Sequence, residues 1–77
     1  MAGETREEFL KRLGRRIREL RVQHGLTQEA FEDGTEISIT SRGLQEIEYG
    51  NKDVRITTLR KIAKRLEIQL PELLDME

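Results

Sequence analysis

Side chains able to carry covalent or metal chemistry are scarce in this 77-residue chain, which has one histidine, His24, and no cysteine. Nucleophilic or acid–base catalysis needs a pocket and a positioned base. Here the carboxylates are scattered over helix surfaces, His24 stands beside Gly25 at a helix end, and no glycine-rich phosphate loop occurs. An enzyme, a metal site and a bound cofactor are therefore not expected. The sequence does concentrate hydrogen-bonding groups in one short stretch: Thr40, Ser41, Arg42, Gln45 and Glu46. By themselves, groups such as Arg42 and Gln45 on a solvated helix face carry no functional meaning.

Those groups need a helix to present them, and the pattern supplies one. Thr40 or Ser41 can cap a helix running to about Tyr49, with Leu44 and Ile47 turned inward and Gly50 as its stop. Before it, Thr5 and Glu8 have capping-box spacing and open a helix over about 6–24. Its apolar stripe is Phe9, Leu10, Leu13, Ile17 and Leu20, Arg and Lys fill most of its other face, and Gly25 ends it. Thr27 caps a second helix with Ala30 and Phe31 inward, and Asp33-Gly34-Thr35 stops it. The segment 36–39 reads as a connector that plants Ile37 and Ile39 in the core. After the loop Asn51-Lys52-Asp53, a fourth helix carries Ile56, Leu59, Ile62, Ala63 and Leu66. Pro71 opens a short fifth helix holding Leu73 and Leu74. The expected architecture is an all-α domain of five short helices over residues 1–77.

Charge divides along the chain although the net charge is only −1. Residues 1–24 carry seven basic and four acidic side chains, and residues 40–65 carry seven and three. Residues 25–39 and 66–77 each hold four acidic groups and no basic ones. A phosphate backbone responds to the local field, so a basic face is compatible with this total. No apolar run approaches a membrane span of about 20 residues, and the first residues lack the apolar core of a signal peptide. A cytoplasmic location is the default expectation, with no membrane partner.

Arg-Glu-Leu-Arg at 18–21, Gly25-Leu26-Thr27-Gln28-Glu29, Leu44-x-x-Ile47-Glu48-x-Gly50 and Leu59-x-x-Ile62-Ala63-x-x-Leu66-x-Ile68 occur in this order. Together they resemble the Cro and phage-repressor (C1-type) helix-turn-helix family of transcriptional regulators, over about residues 10–74. The resemblance implies a repressor-like DNA-binding domain in which the helix at about 41–49 lies in the major groove of double-stranded DNA. It implies phosphate contacts from Thr27 and Gln28, at the amide end of the second helix, and from Asn51 and Lys52 in the following loop. Arg55 and Thr57 are similar candidates. Thr40, Ser41, Arg42, Gln45 and Glu46 fall at the base edges. Arg42 suits guanine O6 and N7, Gln45 suits adenine or a phosphate, and Glu46 suits cytosine N4 or a pairing with Arg42. Arg21 and Glu48 are implied as a structural salt bridge that orients the reading helix. The family's two-fold symmetry implies a homodimer on a symmetric operator, for which Leu70, Leu73, Leu74 and Met76 are candidate contacts; their other role would be to close the monomer core.

Two features depart from that pattern. Gln28 and Glu48 stand twenty residues apart where the family has about eighteen, so the turn is longer. Glu32 follows Phe31 where the family prefers a small residue, and Gly43 sits inside the reading helix at a cost of ~1 kcal/mol relative to alanine. The alternative function is a protein-interaction module on the same fold, an antitoxin or a partner-docking subunit without DNA readout of its own.

Overall fold

The computed structural model describes residues 3–76. Met1, Ala2 and Glu77, which the expected 1–77 domain includes, lie outside the described residues. Four α-helices follow one another, with no strand among the described residues. Helix α1 spans Arg6–Gln23, α2 Ser41–Glu48, α3 Ile56–Arg65 and α4 Leu70–Leu73. The expected second helix is a single 3-10 turn at Glu29–Phe31, so the count is four α-helices and one turn rather than five helices. The physical reason lies in the neighbouring residues: only Ala30 and Phe31 can face inward before Asp33-Gly34-Thr35 breaks the backbone, and Gly34 takes φ +76°.

Helix α1 starts as the capping box requires. The Thr5 amide donates to the Glu8 carboxylate at 2.8 Å, and the Glu8 amide donates to the Thr5 hydroxyl at 3.1 Å. Leu10, Leu13, Ile17 and Leu20 are buried, whereas Phe9 is 37% exposed. Phe9 lies at the edge of the stripe in the first turn and stays outside the core cluster. Ile56 is exposed for a related reason: it is the first residue of α3, one turn ahead of the packed Leu59. In the connector Ile39 enters the core, but Ile37 stays half-buried outside it.

One apolar cluster holds the elements together. Ile17 of α1, Phe31, Leu44 of α2, Ile62 and Leu66 at α3 and Leu73 of α4 are completely enclosed. Burying each such side chain contributes roughly 1.5–3 kcal/mol. Leu70, Leu74 and Met76 pack half-buried against the same cluster. The C-terminal leucines thus close the core of the monomer, and Leu73 has no surface left to offer a second copy. Arg16 fixes this end, its guanidinium donating to the carbonyls of Glu72 at 2.8 Å and Leu73 at 3.3 Å. These carbonyls are among the orphans that a helix C-terminus leaves.

Helices α1 and α2 cross at very close range. A Cβ on Gly14 would sit 2.4 Å from the Ile47 carbonyl oxygen and 2.5 Å from that of Glu48. A Cβ on Gly50 would meet the Lys11 backbone at 2.8 Å. This contact sets where the basic face of α1 stands relative to α2. Among the described residues, no helix is long and apolar enough to cross a membrane.

Candidate nucleic-acid interface

The open face of α2 follows from its buried one. Leu44, Ile47 and Glu48 point inward, leaving Arg42 and Gln45 exposed on the opposite side. Thr40 caps the helix, its hydroxyl accepting from the Gly43 amide at 3.0 Å. The Ser41 amide donates to Glu32 at 3.0 Å, so a carboxylate from the preceding turn also sits at this helix end. Gln45 donates to the Tyr49 hydroxyl at 3.4 Å. Glu46 is half-buried and accepts from the Asn51 side chain at 3.2 Å. Its partner is therefore Asn51, and no Arg42–Glu46 ion pair forms among the described residues.

Beneath this face lies the pair that orients it. Arg21 of α1 donates to both oxygens of Glu48, at 2.7 and 3.0 Å, and its remaining nitrogen donates to the Leu26 carbonyl at 2.9 Å. The Glu48 side chain is only 1% exposed and the Arg21 side chain 11%. The hydrogen bond to Glu48 holds the Arg21 pKa above its ordinary value, against the opposing effect of burial. Gln28 joins the same network, donating to Glu48 at 3.1 Å. Its amide nitrogen is thus turned inward. Thr27 is exposed, and its hydroxyl accepts from the Ala30 amide at 3.1 Å.

The other candidates flank α2. Asn51, Lys52, Arg55 and Thr57 are exposed, Arg55 standing immediately before α3. The Lys52 ammonium lies alongside the first turn of α2, 3.9 Å from where a Gly43 Cβ would be. His24 is bonded through Nδ1 to the Leu20 carbonyl at 2.8 Å and caps α1. No group of three or more potential metal ligands forms among the described residues.

Sequence reasoning missed the other wall of this surface. An open cleft of about 970 Å³ runs between α1 and α2, lined by Lys11, Arg15 and Arg18 on one side. Thr27, Gln28, the acidic Glu29, Gln45 and Tyr49 line it opposite. Lys11, Arg15 and Arg18 recur at four- and three-residue spacing, which stacks them on one face of a helix. The signal was present in the basic face of α1; only the close crossing at Gly14 brings it beside α2.

A buried, internally paired support thus carries a short exposed helix beside a cleft lined in part by Lys11, Arg15 and Arg18. A family model described as Helix-turn-helix matches residues 17–73, well over half of the chain. The chain belongs to that family, the Cro/C1-type helix-turn-helix proteins, which are DNA-binding transcriptional regulators and not enzymes. No curated protein matches it.

Proposed function

We propose that this chain binds a specific, two-fold symmetric DNA operator as a homodimer in the cytoplasm, with α2 of each copy in the major groove and Arg42 as its principal base reader. The observation that carries the reading is the exposure of Arg42 on the face of α2 opposite Leu44, Ile47 and Glu48. A guanidinium there can donate in parallel to O6 and N7 of guanine. Ser41 and Gln45 flank it. Thr27, Asn51, Lys52 and Arg55 supply phosphate contacts around the groove, and Lys11, Arg15 and Arg18 add a second basic track along the cleft. Phosphate contacts position the protein and base contacts specify the site. The residues 1–77 act as one domain in this scheme.

Selection of bound sequences from a random duplex pool tests it, followed by titration of the selected duplex at two salt concentrations. A palindromic motif with guanine at the Arg42 position, bound with affinity that falls as salt rises, is the expected result. A pool that yields no motif, together with flow-through on heparin at low salt, would favour the protein-interaction module instead.

A further inference from the structure

We infer that Glu32 is a negative determinant of DNA affinity, a carboxylate that the lengthened turn places at the amide end of the reading helix. The inference rests on the proposed placement of α2 in the major groove. Three observations carry it. The backbone after Phe31 doubles back, with the Ile39 amide donating to the Phe31 carbonyl at 2.8 Å. That return brings Glu32 within 3.0 Å of the Ser41 amide, the first residue of α2. Glu32 is exposed, and no cation pairs with it among the described residues.

A helix amide end attracts anions, and in this fold that end enters the groove. Glu32 fills it with a fixed negative charge from the protein itself. The carboxylate satisfies the Ser41 amide, so it stabilises α2 in the free protein. On DNA the same charge lies between two phosphate strands, where it raises the electrostatic cost of docking. Glu36 belongs to the same acidic segment and is exposed, yet it has no hydrogen bond to α2. It is the natural control for position against net charge.

Wild type, Glu32→Gln, Glu32→Ala and Glu36→Gln are titrated with the selected duplex and with random-sequence duplex, alongside thermal melting. Glutamine keeps an oxygen acceptor for the Ser41 amide while removing the charge. The expected result is that Glu32→Gln binds both duplexes about three- to tenfold more tightly, with a log–log salt slope steeper by up to about one. Glu32→Ala melts earlier but also gains affinity, and Glu36→Gln stays within about twofold of wild type. Equal or weaker binding by both Glu32 variants overturns the inference, as does an equal gain in Glu36→Gln. A wild type that binds no duplex at low salt overturns the proposed function and this inference with it. A wild type that binds while the Glu32 variants gain nothing overturns this inference alone.

Discussion

Gly14 of α1 lies so close to Ile47 of α2 that a Cβ on the glycine would stand 2.4 Å from the Ile47 carbonyl oxygen. The contact is backbone against backbone, so no side chain can swing aside. Two opposing effects decide what alanine would do there. Helix propensity favours alanine over glycine by ~1 kcal/mol. The clash forces the two helices apart, and overpacking of this kind costs about 1–3 kcal/mol or more. Gly14→Ala is therefore expected to destabilise despite its better propensity, by up to about 2 kcal/mol in urea unfolding. On the proposed function it is also expected to weaken DNA binding, because α2 and the basic face of α1 are held at one separation by this crossing. A variant as stable as wild type would show that the helices can part freely.

The Arg21–Glu48 pair gives a sharper stability test. Glu48 is almost fully enclosed and accepts three hydrogen bonds, two from Arg21 and one from Gln28. Removing one partner of a buried pair strands the other charge, at about 3–5 kcal/mol. A domain of this size has only about 5–10 kcal/mol in total. Arg21→Met is thus expected to leave a barely folded chain. Arg21→Met combined with Glu48→Met should recover much of the loss, since an apolar pair of similar volume leaves no unpaired charge. Additive losses in the double variant, read by urea unfolding, would sink this account.

Much of this arrangement could be read from residue spacing, and the exceptions have a common cause. The capping box at Thr5 and Glu8, the stripe Leu10–Leu13–Ile17–Leu20 and the helix stop at Gly25 depend on contacts within a few residues, so local periodicity reveals them. Phe9 and Ile56 share the apolar character of their neighbours, but burial depends on where packing partners end. The helix expected at Thr27 shrinks to a 3-10 turn because only Phe31 anchors it fully. At the candidate interface, the exposure of Arg42 and Gln45 follows from the helical period alone. That Gln28 turns inward onto Glu48, and that Tyr49 faces Arg15 and Arg18 across a cleft, requires α1, the 3-10 turn and α2 to be in place together.

The link between the 3-10 turn and α2 should respond to acid. Asp33 accepts from both the amide and the hydroxyl of Thr35, at 3.1 and 2.7 Å, and pairs with Arg65 of α3. These bonds, the Thr35 hydroxyl first, hold its pKa below the ordinary value of 3.8. A depressed carboxylate pKa stabilises the fold above the unfolded value and loses that contribution as pH falls through the folded one. Stability should therefore decline below about pH 4 with a component that Asp33→Asn abolishes. Melting curves between pH 2 and pH 7 check this; an unchanged acid limb in Asp33→Asn would show that the turn carries no linked proton.

The basic track on α1 predicts a change in salt dependence without a change in fold. Arg15 and Arg18 are exposed and make no ion pair among the described residues. Arg15→Ala and Arg18→Ala should leave thermal melting within about 0.5 kcal/mol of wild type, as surface substitutions do. Each should lower affinity for selected and random duplex alike and reduce the log–log salt slope by about one. Arg42→Ala should behave differently, losing about 1–3 kcal/mol and relaxing the preference at one base pair. An unchanged slope in both α1 variants would remove that helix from the interface.

Glu67 marks a place where the fold tolerates a poor residue. Helices α1, α2 and α3 end alike, with the next residue but one in the left-handed region and an amide bonded back to the last turn. In α1 and α2 that residue is Gly25 or Gly50, at φ +68° and +73°. After α3 it is Glu67, at φ +58°. The left-handed conformation costs a side-chain-bearing residue roughly 1–2 kcal/mol, and a carboxylate also opposes the negative end of the helix dipole. Glycine removes both penalties and gives back part of the gain through the flexibility it adds to the unfolded chain. Glu67→Gly is expected to stabilise by about 0.5–1 kcal/mol. The corresponding rise in Tm is roughly 2–8 °C for a domain of this length. Since Glu67 lies outside the cleft between α1 and α2, DNA affinity should not change. A fall in Tm would mean that Glu67 holds the end of α3 through a contact that outweighs its backbone strain.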